Sequence, residues 1–279
     1  MARGPRGARR PARRARAPAR ARGGGAGAPE RLQKMLARAG LASRREAEAW
    51  IRAGRLTING VPATLGARVT PADKVQLDGR AVRSRAPAAA HAFLCHRSPG
   101  EPLRTPAAAL APDTPVRPAL LERLPRGAGR RFISVSPMPR IDGGLELVTS
   151  DGALALALQR AVRGLPSEFG VRVRGELSAA QLAGIASGLL DRGDTLAVER
   201  CEPSGGEGAN RWYTFAARGA SGKDVRQLFE RQGALVSRVL RTRFGPLGLE
   251  RALGRGQFRE LTQEELAALL SGPDAAASG

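Results

Sequence analysis

Up to residue 83, hydrophobic residues recur first at the spacing of an α-helix and then at the spacing of a β-strand. Helical spacing separates three apolar residues, Leu32, Leu36 and Ala39, and Gly40 ends this first predicted helix. Ser43 and Glu46 then form the capping-box pattern that begins a second helix. Residues 56–58 and 75–77 are short runs of strand-type residues, and each leads into an Asn-Gly or Asp-Gly turn pair. The pattern predicts a compact module of two helices and a small sheet over residues 30–83.

A longer region, residues 92–272, contains both strand-like and helical spacings of hydrophobic residues. Strand patterns lie at residues 92–95, 145–149 and 168–174, and helical patterns at 119–124, 154–162, 177–190 and 262–270. Strands and helices therefore occur together in both regions. The length of 279 residues suggests one to two domains plus tails.

The remaining segments have the composition of linkers and tails. Residues 1–29 contain only Arg, Ala, Gly and Pro after the initiator, with nine arginines and no acid. Such a segment buries too little apolar surface to offset its ordering entropy. We expect disordered tails at 1–29 and 273–279 and an Ala-rich linker at 84–91.

The net charge narrows the class of partner. At +21, it exceeds what solubility requires and indicates a polyanion: RNA, DNA or an anionic membrane surface. No apolar run approaches the roughly 18 residues of a membrane-spanning helix, so a membrane is the weakest of the three. Cys95 and Cys201 lack metal-ligand spacing and a secretory context, so we expect two reduced thiols in a cytoplasmic protein without a metal site.

The first module has a specific resemblance. Its sequence Leu-Gln-Lys-Met-Leu-Ala-Arg-Ala-Gly-Leu-Ala-Ser-Arg-Arg-Glu-Ala-Glu, followed by Gly-Arg-Leu-Thr-Ile-Asn-Gly, resembles the RNA-binding domain named after ribosomal protein S-four. Arg44 and Arg45 lie in the first turn of the second helix, where free N–H groups and guanidiniums favour a phosphate. The resemblance implies RNA contacts by Lys34, Arg38, Arg44, Arg45, Arg52 and Arg55. Trp50 follows the apolar pattern and is expected in the core.

The second region is similar to the bacterial rRNA pseudouridine synthases. The stretch Ser-Pro-Met-Pro-Arg-Ile-Asp-Gly-Gly-Leu-Glu-Leu-Val-Thr-Ser-Asp-Gly at 136–152 resembles their active-site loop, Gly-Arg-Leu-Asp followed by Thr, Gly-Leu-Leu-Leu-Leu-Thr and Asp-Gly. Ser-Gly-Gly-Glu-Gly-Ala-Asn-Arg-Trp-Tyr at 204–213 is closer to the large-subunit branch. The resemblance implies an α+β fold in which the RNA-binding module precedes a synthase domain with a central, mostly antiparallel sheet. It further implies chemistry that uses no metal or cofactor. It also implies that large-subunit rRNA is the partner, and we expect a monomer.

The catalytic end of the resemblance leaves two alignments open. Without gaps, the family's nucleophilic aspartate falls on Pro139, which has no carboxylate. With the loop shifted, Asp142 takes that role. The arginine that pairs with the aspartate in the family falls on Ser221, and Lys223 or Arg226 could substitute for it.

Other family positions bear on substrate binding. Phe169 takes the place of the tyrosine that stacks on the flipped uracil, and it could equally be an ordinary core residue. Arg238, Arg241 and Arg243 retain the basic character of the family's RNA-facing strand.

Three hypotheses follow. The chain could be a relative that binds rRNA and has lost or impaired uridine isomerisation, or an active synthase using Asp142. It could also be a general nucleic-acid binder that depends on its basic tail alone.

Overall fold

The computed structural model describes residues 28–82, 90–105, 118–128, 131–206 and 208–271. The expected tails and linker fall almost entirely outside these ranges.

The first module contains two helices packed on short strands. Its elements are β1 (Glu30–Arg31), α1 (Leu32–Arg38), α2 (Arg44–Arg52), β2 (Leu56–Ile58), β3 (Val61–Pro62), β4 (Arg68–Val69), β5 (Val75–Leu77) and β6 (Arg80–Val82). The Ser43 side chain caps α2 and Glu46 completes the capping box. Asn59 and Gly60 both have positive φ, 52° and 83°, as a tight two-residue hairpin requires. Trp50 packs partly buried against the module's core, as the sequence predicts.

The second region is built around one large sheet. Its elements are β7 (Ala92–Arg97), β8 (Ile133–Ser134), β9 (Gly143–Thr149), α3 (Gly152–Ala161), β10 (Pro166–Arg174), α4 (Ala179–Ala186), β11 (Ala197–Gly205), β12 (Asn210–Arg218), α5 (Gly222–Arg231), β13 (Leu235–Phe244), β14 (Leu247–Gly248), β15 (Phe258–Glu260) and α6 (Gln263–Leu270).

The main path of this sheet runs β11-β12-β10-β13-β9-β7-β15. Every neighbouring pair is antiparallel except β9 and β13, which are parallel. Side chains from α4 and α5 form one core with β10, β12 and β13, and side chains from α3 and α6 form a second core with β7 and β9. The expected α+β class with a mostly antiparallel sheet is therefore confirmed.

Local differences from the sequence pattern have local causes. Residues 119–124 form only a single 3-10 turn, at Leu120–Glu122. The helix expected over 177–190 is shorter because Gly188 has φ 68°, and a Cβ there would lie 2.2 Å from the Leu196 carbonyl oxygen. Strand β9 is buried on both faces, since the segment around Leu120 covers the side that carries Val148.

Candidate functional site

A buried ion pair fixes the loop between β8 and β9. The Arg97 guanidinium donates to the carbonyl oxygens of Met138 (2.8 Å) and Pro139 (2.7 Å), and its Nε donates to Glu146 (2.8 Å). Glu146 also accepts the Met138 N–H at 3.0 Å. Burial raises the pKa of the Glu146 carboxyl, and the Arg97 charge opposes that shift. Arg97 on β7 and Glu146 on the neighbouring strand β9 therefore fix the backbone of this loop.

The loop ends in a tight turn that buries Asp142. The Asp142 N–H donates to the Pro139 carbonyl oxygen at 3.0 Å, and the turn leaves Arg140 and Ile141 exposed. The Asp142 carboxylate has no exposed surface. The turn therefore directs the carboxylate into the protein and its two central side chains into solvent.

Both oxygens of the Asp142 carboxylate accept hydrogen bonds. Oδ1 accepts from Arg226 Nη2 (2.6 Å) and from the Val239 N–H (2.8 Å), and Oδ2 accepts from Arg226 Nε (3.0 Å). This is the bidentate geometry that makes arginine–carboxylate pairs strong. The hydrogen bond to Asp142 raises the pKa of Arg226. Of the two cations considered from sequence, Arg226 is the partner, and Lys223 is exposed on the same helix.

A split in the sheet creates the space for this pair. Strands β9 and β13 pair at only two positions, Leu240 with Gly143 and Arg241 with Gly144. A Cβ on Gly144, which has φ 93°, would lie 2.2 Å from the Arg241 carbonyl oxygen, so only glycine permits this approach. Before this pairing the strands diverge, and the Val239 N–H is satisfied by the Asp142 carboxylate.

Phe169 lies in the core of the synthase-like region. Its side chain has no exposed surface, and its ring contacts Phe215, with centroids 6.5 Å apart. The guanidinium of Arg241 lies over the Phe169 ring, 5.5 Å from its centroid. Of the two roles predicted for Phe169, the structure therefore favours that of a core residue, because the ring has no free face on which a base could stack.

Arg241 does not lie where an RNA contact requires. It is fully buried, stacks 4.6 Å from the Phe244 centroid, and donates to the carbonyl oxygens of Ser136 (2.8 Å) and Leu145 (3.3 Å). Burial lowers the pKa of Arg241 to about 10. The expectation that Arg241 faces RNA is corrected here: the period of β13 turns positions 239 and 241 inward. Arg238 and Arg243 point to the opposite face, where Arg238 is half-buried and Arg243 is exposed and lies 3.3 Å from Glu168.

The ungapped alignment places the family's aspartate at Pro139 and its arginine at Ser221, and the start of α5 brings these two positions near each other. Ser221 is the N-cap of α5 and forms a capping box with Asp224. At the next residue, a Cβ on Gly222 would lie 2.3 Å from Met138 Sδ and 3.1 Å from Pro139 Cδ. The first turn of α5 therefore packs on Met138 and Pro139. Neither Pro139 nor Ser221 brings a charge to this contact.

The six basic residues of the first module that the family resemblance assigns to RNA contacts are all exposed. They are Lys34, Arg38, Arg44, Arg45, Arg52 and Arg55. Three of them pair with acids: Arg38 with Glu30, Arg52 with Glu48 at 3.9 Å, and Arg55 with Asp78, where Nε lies 2.9 Å from Oδ1. Arg55 also lies over the Trp50 ring, at 5.3 Å. Within the described residues, Lys34, Arg44 and Arg45 form no ion pair, so of these six they are the most available to a phosphate.

The described ranges contain neither a metal-binding cluster nor a membrane-spanning helix. No three His, Cys, Asp or Glu side chains there are grouped so that they could hold a metal ion. None of the helices within those ranges has the length and apolar character needed to cross a membrane.

Sequence reasoning missed two features of this region. Arg97 and Glu146 stand at the end and the middle of apolar strands, and a charged residue inside such a strand is the signal that could have indicated a buried pair. The period-two pattern through Val239 could likewise have placed Arg241 inward.

Known proteins resemble both parts of the chain. The family model described as "S4 domain" matches residues 30–83. "Ribosomal large subunit pseudouridine synthase B" of Pseudomonas aeruginosa is 37% identical over 85% of this chain and 61% of that protein, so the chain spans about three fifths of its length. The proteins of the same name from Salmonella typhi and Escherichia coli K12 are each 37% identical over 83% of this chain and 79% of theirs.

One solved structure has the same fold. It is described as "Crystal structure of pseudouridylate synthase", and the match covers 86% of this chain and 99% of that one, with a TM-score of 0.52 and 20% identity.

Proposed function

Since the chain belongs to the bacterial rRNA pseudouridine synthase family, in its large-subunit branch, we propose that it binds large-subunit rRNA and has lost uridine isomerisation. The observation that carries this proposal is that Asp142 and Phe169, the side chains available for the family's chemistry, have no exposed surface. We further propose that the protein acts as a cytoplasmic monomer.

The family reaction requires a carboxylate that can reach the sugar of a flipped uridine. In this protein, three donors occupy the Asp142 carboxylate. Freeing it would break a buried ion pair, and losing one partner of such a pair costs about 3–5 kcal/mol. The carboxylate therefore serves to hold the loop against α5 and β13. Pro139 and Ser221, at the positions that the ungapped alignment assigns to chemistry, have no charge to replace it.

The features that RNA binding requires, by contrast, are present in this protein. The net charge is +21, and Lys34, Arg44 and Arg45 are exposed on the two helices of the first module. Each phosphate that these cations neutralise releases a counterion, so affinity should fall steeply with salt. Recognition of a structured RNA through this module, with the arginine-rich segment at 1–29 adding affinity, fits both features.

A second candidate is an active uridine isomerase with Asp142 as nucleophile. The observation that favours it is the bidentate contact from Arg226, because a carboxylate held by a cation is what the family's mechanism uses. This candidate requires the Pro139–Asp142 turn to open when RNA binds.

The test is pseudouridine formation on large-subunit rRNA transcribed without modifications. The wild type is compared with Asp142→Asn, and the Escherichia coli relative is the positive control for the RNA. We expect tight, salt-dependent binding and no pseudouridine from either form. Pseudouridine made by the wild type and abolished in Asp142→Asn would establish the second candidate instead. Full-strength binding that disappears when residues 1–29 are deleted would leave only the tail-driven hypothesis.

A further inference from the structure

One face of the sheet is turned away from the core. On β10, β12 and β13, alternate side chains point to this side, which we call the open sheet face: Gly170, Arg172, Trp212, Thr214, Arg238 and Leu240. All of these residues are half-buried. The residues between them, such as Val171, Tyr213 and Val239, form the core on the other side.

Trp212 lies across this face above a glycine. A Cβ on Gly170 would lie 3.4 and 3.5 Å from Trp212 Cζ3 and Cε3, which is van der Waals distance, so the indole ring packs over Gly170. Glycine inside a strand weakens the sheet and marks a place where another group approaches closely. Trp212 is absent from the apolar core clusters, although its neighbours Tyr213 and Phe215 are core residues. Trp212 is half-buried, so part of the residue remains accessible to solvent, and a partly exposed aromatic ring can stack on a base.

Two cations stand in register with the indole. Trp212 pairs with Arg172, and Arg172 pairs with Arg238 on the next strand. The Arg172 Nε donates to Ser237 Oγ at 2.9 Å, which fixes the side chain on the face. Within the described ranges, neither Arg172 nor Arg238 has a carboxylate at ion-pair distance.

The acids near this face leave the charge around Trp212 positive. Glu168 lies between Arg200 (3.4 Å) and Arg243 (3.3 Å), which neutralise it. Glu202, in register with Thr214, is an exposed acid on the edge strand β11, and it is outnumbered by the four arginines. The row that holds Trp212, Arg172 and Arg238 is therefore complementary to a phosphate backbone.

We propose that the open sheet face binds a single-stranded segment of RNA, with one base stacked on Trp212 and the flanking phosphates held by Arg172 and Arg238. Aromatic platforms beside cations bind single strands in this way without reading their sequence. The inference rests on the proposed rRNA binding and adds a second contact surface, distinct from the two helices of the first module.

The indole provides its own probe. The chain has two tryptophans, so a Trp50→Phe variant of the full chain leaves Trp212 as the only one. Titration with a short single-stranded RNA oligonucleotide should quench this fluorescence, because a stacked base is in contact with the indole. An unchanged emission at RNA concentrations that saturate binding would overturn the proposal.

Affinity measurements separate stacking from charge. Trp212→Ala should weaken oligonucleotide binding by roughly 5- to 100-fold, the loss of one stacked base, whereas Trp212→Phe keeps a π-face and should stay within about threefold of the wild type. Arg238→Gln should lower the slope of log affinity against log salt by about 0.7. The matched control is Arg160→Gln, which removes an exposed arginine of α3 and should leave affinity nearly unchanged.

The outcomes distinguish the two proposals. Circular dichroism and thermal unfolding confirm that each variant is folded. If the wild type binds the rRNA transcript and Trp212→Ala binds the oligonucleotide as tightly as the wild type, the open sheet face is refuted and the proposed function stands. If the wild type binds neither RNA, the proposed function fails.

Discussion

Removing Arg226 tests whether the buried pair holds the loop in place. In Arg226→Met, the substituted side chain keeps much of the apolar stem but cannot donate. The Asp142 carboxylate would then retain only the Val239 N–H and have no countercharge in a fully buried position. The variant preserves most of the packing of α5, and it also removes the hydrogen bonds from Arg226 Nη1 to the Val236 carbonyl oxygen and to Glu230, both at 3.0 Å.

The expected loss follows from burial. The Asp142 side chain has no exposure and that of Arg226 is 15% exposed, so solvent screens the pair little. Breaking a pair in this environment costs about 3–5 kcal/mol. Asp142→Asn should cost less, about 2–3 kcal/mol, because the amide oxygen can still accept from Val239. In a domain of this size, each kcal/mol lowers the Tm by about 2–4 °C.

The assay is urea unfolding of the two single variants and the double variant. A double-mutant cycle should give a coupling energy of about 2–3 kcal/mol between Asp142 and Arg226. The same arginine supplies a control, because its Nη1 lies 3.0 Å from Glu230, which is 50% exposed. Glu230→Gln should cost under about 0.5 kcal/mol. If Arg226→Met were within that same range, the pair would not be structural and our reason for the enclosed carboxylate would be refuted.

Three further predictions follow from the same structure. Arg44→Gln with Arg45→Gln should lower the salt slope of rRNA binding by about 1.5 in filter-binding assays, whereas Arg55→Gln should change it less because Asp78 already binds that guanidinium; equal effects would contradict this ranking. Gly144→Ala should cost at least about 3 kcal/mol in urea unfolding, since its Cβ would overlap the backbone of β13 at a positive φ. Burial raises the pKa of the Cys95 thiol, so in a Cys201→Ser variant, which removes the half-buried second thiol, Ellman's reagent at pH 8 should label Cys95 only as the protein unfolds; rapid labelling of that native variant would show that the strand is accessible.

Much of the secondary structure could be predicted from the sequence because interactions between residues close in the chain determine it. The capping boxes at Ser43 and Thr262 are both present, since each depends on residues only three positions apart. The turn at Asn59-Gly60 depends on the backbone preferences of two adjacent residues. The α+β class and the mostly antiparallel sheet were also predicted from the patterns together with the family resemblance, and both are confirmed.

The sequence by itself determined most of the helices and strands, the basic character and the family resemblance. It left Asp142 and Pro139 as competing positions, because the alignment of a short loop does not say which side chain points inward. Only the tertiary structure brought Asp142 to Arg226 and Val239, residues 84 and 97 positions further along the chain, and turned Arg241 into the core. The physical reason is that a buried charge is tolerated only where partners from distant elements surround it, and those partners are placed by packing.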